Sequence, residues 1–203
     1  GYNGHTEVVY IPNFLTRFPE NVSAAVREKT VLAAGRLTEV KRFDLLIEQF
    51  AHIHEREPEW KLRILGEGED RAKLEEQITK LGAGDYIMLT GRKNGDEVER
   101  EMLSASIFAM SSRSEGFPFV LMEAQSCGLP IIAYDVRVGP GAVVHDGEDG
   151  VLVPEGERRQ YEDKLCELMD SPELREKMSA NATAAIREFS EEKVAEKWYE
   201  VIE

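Results

Sequence analysis

Residues 111–130 read SSRSEGFPFVLMEAQSCGLP and follow the apolar run Ile107–Met110. The run has the length and composition of a short buried strand. Pro118 suits the first turn of a helix, because its ring fixes φ and its missing N–H costs nothing there. The stretch therefore predicts a strand, a turn and a helix over Pro118–Cys127 that ends at Gly128. In an open α/β sheet, ligands bind at such junctions, outside the carboxyl ends of the strands.

The same alternation of short apolar runs and amphipathic segments extends through most of the chain. Strands are predicted over Thr30–Ala34, Lys61–Leu65, Tyr86–Leu89, Ile107–Met110, Ile131–Tyr134 and Val151–Val153. Helices are predicted over Val40–Glu55, Asp70–Leu81, Asp96–Leu103 and Pro118–Cys127, with a short one over Ala142–His145 and three more marked by Tyr161–Leu168, Leu174–Phe189 and Val194–Val201. Nearly continuous apolar strands between helices indicate a parallel sheet that is covered on both faces. The predicted fold is α/β, a Rossmann-like, doubly wound parallel six-stranded sheet with C-terminal helices.

Composition limits the class of protein. The chain has 203 residues, 42% hydrophobic and 32% charged, which is enough for one α/β core with appendages. No apolar run approaches the length of a membrane span. Cys127 and Cys166 lie within helical patterns, so we interpret them as small buried side chains in a cytoplasmic protein rather than as a disulfide. The formal net charge of −14 disfavours nucleic acid as a partner, so local groups of basic residues are informative.

One basic group surrounds the turn at Gly35, after the first strand. Arg36 and Lys41 flank this turn at the carboxyl edge of the sheet. Two cations beside the start of a helix suit a diphosphate, although a solvated loop with ordinary surface cations remains an alternative. Gly91 and Arg92 follow the third strand at the same edge. That loop is predicted either to hold a nucleotide base or to be plain surface.

The second strand is followed by an acidic turn. Residues 66–71 read GEGEDR, which begins like the glycine-rich dinucleotide motif, but Arg71 replaces the third glycine and three acids would repel a pyrophosphate. A nicotinamide dinucleotide is therefore excluded here. We interpret the stretch as a turn with acidic residues at the start of a helix.

The turn and helix of the opening stretch hold two carboxylates, Glu115 and Glu123. The free amides of Phe119, Val120 and Leu121 at the start of the helix are predicted to point back at the turn and suit an anion. A nucleotide-sugar has a ribose diol on one side of its diphosphate and a sugar on the other. Two carboxylates, one for the diol and one beyond the diphosphate, would suit such a ligand. A helix-capping acid and a surface acid are the alternative.

No metal or cofactor is expected. The four histidines show no metal-ligand spacing, and the chain contains no Asp-x-Asp pair. The ligand predicted from the residues is a nucleotide-diphosphate sugar, bound as a substrate.

The blocks taken together resemble a known family. They are GRLTEVK (35–41), LGEGED (65–70), LTGRK (89–93), SSRSEGFPFVLMEAQSCGLPIIAYD (111–135) and HDGEDGVLVP (145–154). In this order they resemble the C-terminal, donor-binding half of GT-B retaining glycosyltransferases, and best the family 4 group. The resemblance covers roughly residues 28–155, and the helical tail also fits. It implies transfer of a hexose-type sugar from a UDP- or GDP-sugar to an acceptor hydroxyl, with the anomeric configuration kept.

The resemblance also implies roles for individual residues. Arg36 and Lys41, beside Gly35, match the diphosphate-binding pair and would stabilise the departing nucleotide diphosphate in place of a metal. Glu123 matches the acid that holds the ribose, and Glu115 the acid that faces the sugar; with Arg36 and Lys41, Glu115 is the catalytic set. The remaining implied donor contacts are the base loop and the turn with its amides: Gly91, Arg92, Gly116, Phe117, Pro118, Phe119, Val120 and Leu121.

One block departs from the family pattern. Residues 138–141 read VGPG and are not followed by the usual glutamate. Gly-Pro at this place is similar to enzymes that glycosylate bacterial surface polymers such as teichoic acid or lipopolysaccharide. Cell-surface polysaccharide synthesis is therefore the expected setting.

The resemblance divides the chain into three parts. Residues 1–27 are predicted to be an interdomain linker, 28–189 the donor-binding domain, and 190–203 a helix that packs back toward a missing N-terminal domain. The chain begins at Gly1 and is interpreted as a piece of a longer enzyme that is inactive alone. An acceptor glycan or glycolipid is expected as a further partner. The expected location is cytoplasmic, and attachment to a membrane through the missing half is left open. A stand-alone nucleotide-sugar-binding or regulatory module, and a sugar-nucleotide epimerase, remain alternatives.

Overall fold

The computed structural model describes residues 11–20, 22, 27–137 and 139–202. Their six strands are β1 (Thr30–Ala34), β2 (Lys61–Leu65), β3 (Ile87–Gly91), β4 (Ile107–Met110), β5 (Ile131–Asp135) and β6 (Gly150–Pro154). All neighbouring strands pair in parallel, in the order β3-β2-β1-β4-β5-β6. This confirms the predicted Rossmann-like sheet. Much of the predicted linker over 1–27, and Val138 of the VGPG block, lie outside the described residues.

In the described residues, seven α-helices flank or follow the strands. They are α1 (Phe43–His54), α2 (Arg71–Lys80), α3 (Gly95–Ser104), α4 (Phe119–Ser126), α5 (Arg158–Asp170), α6 (Pro172–Ala185) and α7 (Glu191–Ile202). Short 3-10 helices cover Glu39–Lys41, Pro140–Ala142 and Ile186–Phe189. The longest of these α-helices, α6, has 14 residues, and no helix in the described ranges has the length and apolar character to span a bilayer.

Three predicted helices differ from the observed ones. The helix predicted over 40–55 is divided at Arg42, whose left-handed φ of 53° separates Glu39–Lys41 from α1. The short helix predicted over 142–145 is instead the 3-10 turn Pro140–Ala142, because Pro140 can begin a turn but cannot donate to a preceding carbonyl. The helix predicted to run to Phe189 ends at Ala185 and tightens into a 3-10 turn.

Each face of the sheet is covered by a hydrophobic layer. Val31 and Ala33 of β1 point into the layer that α1, α2 and α5 complete, whereas Leu32 points into the layer that α3 and α4 complete. All three side chains have no exposed surface. Full burial of a side chain of the size of Val31 or Leu32 contributes about 1.5–3 kcal/mol. Because both faces are buried, these strands read as continuous apolar runs rather than alternating ones.

The strand order reverses between β1 and β4. The chain leaves β1 toward β2 on one side of the sheet and leaves β4 toward β5 on the other. The loops that follow these two strands therefore diverge and leave a crevice at the carboxyl edge. Gly35 follows β1, and the turn that contains Glu115 follows β4, so the fold brings the two sequence motifs to this crevice.

Helix α7 is only partly packed. Val194 is buried, but Trp198, Tyr199, Val201 and Ile202 lie exposed along its last turns. An exposed apolar group of this kind is unusual for a surface helix of a soluble domain.

Candidate functional site

A cleft of about 600 Å³ occupies the crevice between the loops after β1 and β4. The predicted residues that line it are Gly35, Arg36, Lys41, Arg92, Glu115, Phe117, Pro118, Phe119, Val120 and Glu123. Its charged lining residues are Arg36, Lys41, Arg92, Lys93, Glu67, Glu115 and Glu123, a formal charge of +1. In a chain of net charge −14, this cleft is a local exception to the acidic background.

Lys41 and Glu115 form an ion pair across the cleft. The Lys41 Nζ and Glu115 Oε1 atoms are 2.5 Å apart, and the two side chains are 21% and 10% exposed. Two hydrogen bonds fix the loops that carry them: the Ser111 hydroxyl donates to the Lys41 carbonyl at 2.8 Å, and the Arg113 N–H donates to the Val40 carbonyl at 2.9 Å. The pair therefore joins the loop after β1 to the loop after β4. A ligand anion at Lys41 would compete with Glu115 for the ammonium.

Gly139, in the loop after β5, packs against Glu115. Its φ is +135°, and a Cβ atom at this position would lie 2.7 Å from the Glu115 Cβ. Any larger residue would displace Glu115 or the loop. The VGPG block has no glutamate at the place where the family pattern has one. Its Gly139 instead lets the loop after β5 pack against Glu115. The sequence reasoning missed this contact, although the glycine was visible.

Glu123 lies exposed along the cleft wall on α4, with no side-chain hydrogen bond to any described residue. The neighbouring protein nevertheless removes enough water from the carboxyl to raise its pKa. Its acceptor oxygens are therefore available to a ligand that offers hydroxyl groups.

The start of α4 differs from the prediction. Pro118 is the N-cap rather than a residue of the first turn, with φ −84° and ψ 73°. The Phe119 N–H donates to the Phe117 carbonyl, and the Leu121 N–H to the Pro118 carbonyl, both at 3.0 Å. The prediction of three free amides is therefore wrong for two of them, because the first turn tightens onto its own carbonyls. Within the described part of the chain, only the Val120 N–H of the three has no backbone or side-chain acceptor.

Arg36 reaches the cleft from its open side. Its side chain is 76% exposed and lies 3.6 Å from the Glu69 carboxylate. Gly35 lies beneath Lys41, and a Cβ there would be 3.3 Å from the Lys41 Cε. The glycine thus leaves room for the lysine chain to cross the turn.

The loop after β2 belongs to the cleft, which the sequence reasoning did not predict. Gly66 and Glu67 line the wall. A Cβ at Gly66 would be 1.9 Å from the Gly35 carbonyl oxygen, and one at Gly68 would be 2.2 Å from the Leu37 carbonyl oxygen. The two glycines therefore let this loop lie backbone to backbone against the loop after β1. The sequence held a signal for this contact, since Gly66 and Gly68 lie within three residues of the end of β2, the strand beside β1.

Three predicted residues do not line the cleft. Gly91 ends β3 and accepts a hydrogen bond from the Gly66 N–H at 2.9 Å, Gly116 lies exposed in open space, and Leu121 is fully buried. Four further lining residues were not predicted: Ala34, Leu65, Lys93 and Val98. Among the residues that the structure describes, no group of three His, Cys, Asp or Glu side chains could hold a metal ion.

Known proteins resemble this chain in sequence and in fold. Residues 16–185 match the family described as Glycosyl transferases group 1. The amylovoran biosynthesis glycosyltransferase AmsD of Erwinia amylovora is 31% identical over 98% of this chain. The pneumococcal O-GlcNAc transferase GtfA, solved with UDP and GlcNAc, superposes over 95% of this chain with a TM-score of 0.80 and 29% identity. A mutant of S. aureus TarM, solved with Fondaparinux, alpha-GlcNAc-glycerol and UDP, does so over 95% with a TM-score of 0.85 and 25% identity.

The chain spans about half the length of the curated relatives, 54% of AmsD, and 38% of each of the two solved chains. The six-stranded parallel sheet and these neighbours support the predicted C-terminal domain of a GT-B fold. Because the family match covers most of the chain, the chain belongs to the group 1 glycosyl transferases.

Proposed function

We propose that this chain is the donor-binding domain of a retaining, family 4 type glycosyltransferase and holds a nucleotide-diphosphate sugar in the cleft between the loops after β1 and β4. The observation that carries the proposal is the Lys41–Glu115 pair in the same cleft as Glu123, whose acceptor oxygens bond to no residue in the described ranges. One cation and two carboxylates in a single cleft match the diphosphate, the ribose and the hexose of one donor.

The strand order supports one orientation for the donor. Arg92 follows β3, Lys41 comes after β1, and Glu115 comes after β4, and these three strands run in that order across the sheet. The base is therefore proposed to lie near Arg92, the diphosphate at Lys41 and Arg36, and the sugar at Glu115. The Val120 N–H at the start of α4 is a further donor to the diphosphate, because helix N-termini favour anions.

The proposed reaction transfers a hexose to an acceptor hydroxyl with retention. The bond between the anomeric carbon and the β-phosphate oxygen breaks, and its electron pair stays on the departing diphosphate. A new bond forms from the anomeric carbon to the acceptor oxygen, whose proton passes to the departing phosphate. Lys41 and Arg36 stabilise the charge that develops on the leaving group, and Glu115 orients the sugar. Bound UDP in the solved TarM and GtfA complexes supports UDP over GDP.

The same proposal assigns the rest of the enzyme. Residues 28–189 are the donor domain, and the exposed Trp198 and Ile202 of α7 face an N-terminal domain that carries the acceptor site. The chain alone is then expected to bind the donor without transferring its sugar. The acceptor is proposed to be a glycan or glycolipid in cell-surface polysaccharide synthesis, and the biosynthetic role in the name of the AmsD relative supports this setting. The enzyme itself is proposed to be cytoplasmic.

Calorimetric titration of the chain with UDP, GDP and ADP tests donor binding. We expect UDP to bind, and Lys41→Ala and Glu123→Ala each to weaken it by about tenfold, the loss of one charge-assisted hydrogen bond. Lys80→Ala is the matched control, because Lys80 pairs with Glu76 on α2 at 2.6 Å, away from the cleft. Absence of binding to all three nucleotides, or equal binding by the cleft variants and wild type, would contradict the proposal.

A further inference from the structure

A second cavity, of about 180 Å³, lies beside the donor cleft at the same edge of the sheet. The segment Ser111–Arg113 lines it, and the same segment is hydrogen-bonded to the backbone of Val40 and Lys41 next to the cleft. Its other walls come from the first turns of α1 and α5 and from the ends of β5 and β6. It is therefore a separate space that shares a boundary with the proposed donor site.

Three arginines from different elements converge on this cavity. Arg42 precedes α1, Arg113 belongs to the loop after β4, and Arg158 begins α5. Glu155 is the one acidic residue of the lining, so the lining carries a formal charge of +2. The protein as a whole carries −14. Such a concentration of guanidinium groups favours an anionic ligand.

The arginines keep hydrogen-bonding capacity for a ligand. Their carboxylate neighbours are 3.3 Å away for Arg42 (Asp44), 3.4 Å for Arg158 (Glu48) and 3.9 Å for Arg113 (Glu39). Charge-assisted hydrogen bonds are usually about 2.7–2.9 Å long, and a guanidinium has five N–H donors. These neighbours therefore leave most of the donors unused.

Arg42 adopts a backbone conformation that is costly for its residue type. Its φ of 53° makes it the one non-glycine residue with positive φ in the described ranges. Glycine is the residue that this conformation favours. An arginine held there, with its side chain lining a cavity, indicates that the side chain contributes something that glycine could not.

Three buried residues of the lining carry hydroxyl groups, Ser111, Ser112 and Tyr134, and the Ser111 hydroxyl donates to the Lys41 carbonyl. Ser112 is 4% exposed, and its hydroxyl bonds to no residue that the structure describes. Tyr134 is 3% exposed, and its hydroxyl donates to the Gln49 Oε1 atom at 3.2 Å. Burial raises the pKa of Tyr134, while the positive charges of Arg158 and Arg42 oppose that rise, so both guanidiniums lie within electrostatic range of the phenol.

We propose that this cavity binds a phosphate group, held by Arg42, Arg113 and Arg158 with the Ser112 hydroxyl as an additional donor. With a volume of about 180 Å³, the cavity is much smaller than the donor cleft of about 600 Å³, which suits a single tetrahedral oxyanion better than a nucleotide. The strand order sets it beyond Glu115, on the β5 and β6 side. If the proposed function is right, the phosphate site lies past the sugar end of the donor, where a phosphate borne by a second substrate could reach.

Titration of ¹⁵N-labelled protein with inorganic phosphate, at constant ionic strength and with UDP present at saturation, tests the site. We expect saturable shifts of the Ser112 and Arg113 amide signals. The double variant Arg42→Gly/Arg158→Gln should bind phosphate at least about tenfold more weakly, because two of three guanidiniums are removed. Glycine suits the left-handed position, and Arg158→Gln alone, at the exposed start of α5, serves as a second variant should the double one fold poorly.

The matched control is Arg56→Gln, since Arg56 has an equally loose carboxylate neighbour, Asp163 at 3.9 Å, away from the cavity. It should bind phosphate as wild type does. A parallel titration with glycerol 3-phosphate distinguishes a phosphate ester from free phosphate as the ligand. If glycerol 3-phosphate binds more tightly than inorganic phosphate, the ligand is a phosphate ester, and if the two bind equally, it is free phosphate.

Two results would overturn the phosphate site. One is phosphate binding that is unchanged in the double variant and in Arg158→Gln. The other is a set of shifts that, in a titration without UDP, is confined to the Lys41 and Val120 amides and that UDP abolishes, which would mean that phosphate binds only in the donor cleft. Failure of the proposed function would instead appear as an absence of UDP-induced shifts at those two amides, with the phosphate response at Ser112 retained.

Discussion

Replacing Glu115 by glutamine is expected to raise the affinity for UDP more than the affinity for a UDP-sugar. The Glu115 carboxylate pairs with the Lys41 ammonium at 2.5 Å. At that separation and an effective dielectric constant of about 20, the gross Coulomb energy of the pair is about 7 kcal/mol, of which desolvation leaves only a fraction. A diphosphate that binds at Lys41 must first replace this carboxylate.

Glu115→Gln removes the competing charge and keeps the shape of the side chain. One charge-assisted hydrogen bond is worth about 1.5–3 kcal/mol, so UDP should bind the variant at least about tenfold more tightly. A UDP-sugar gains less, because the variant has also lost the acceptor that would receive the sugar hydroxyls. The ratio of UDP-sugar to UDP affinity should therefore fall.

Calorimetry with both ligands measures the two affinities directly. Glu76→Gln is the control, since it breaks the exposed Lys80–Glu76 pair of 2.6 Å on α2 and should leave both affinities unchanged. Unchanged or weaker UDP binding by Glu115→Gln would refute the idea that the diphosphate and Glu115 compete for Lys41.

Three further predictions concern other parts of the molecule. Gly139→Val should weaken UDP-sugar binding by about tenfold while affecting UDP less, because a Cβ at 139 would lie 2.7 Å from the Glu115 Cβ; calorimetry checks this, and equal affinities to wild type would contradict it. Cys127 should resist alkylation at pH 8 in the folded protein and react after denaturation, because burial raises the pKa of its thiol to about 12; mass spectrometry would show the modification. Burial raises the pKa of Glu123 above its ordinary 4.5, so Glu123→Gln should raise the Tm near neutral pH. This gain should disappear below pH 4.5, where the carboxyl is protonated in both the folded and the unfolded chain. A gain in Tm that stays constant from neutral pH to below pH 4.5 in thermal denaturation would count against the argument.

The fold could be predicted because its signals are local. The strands β1, β2 and β4 occupy the predicted residues, since each is an apolar run with helix-forming or turn residues on both sides. Arg42 gave no such signal, because its left-handed backbone depends on how the loop before α1 packs and arginine has no preference for that conformation. The division of the first predicted helix was therefore not visible in the sequence.

The candidate site was predicted in its residue types but not in its contacts. Glu115 and Lys41 line one cleft because their loops follow the neighbouring strands β4 and β1, and Glu123 joins them from α4. The contact of Gly66 with the Gly35 carbonyl, and of Gly139 with Glu115, joins loops far apart in sequence. The tightened start of α4 likewise depends on the local path of the chain after Pro118. Such contacts follow from three-dimensional packing and leave no periodic pattern.

The backbone-to-backbone contact between the loops after β1 and β2 has a consequence for how this enzyme family can change its ligand. The Leu37 N–H donates to the Glu67 carbonyl at 2.9 Å and the Asp70 N–H donates to the Leu37 carbonyl at 3.1 Å, with no side chain between the loops. Rotamer changes cannot adjust a wall built in this way. The opposite wall, where Glu115 meets Gly139, is made of a side chain against a loop and can be altered by single substitutions. Attempts to engineer a new sugar preference should therefore target the β4–β5 side and leave the glycine loops untouched.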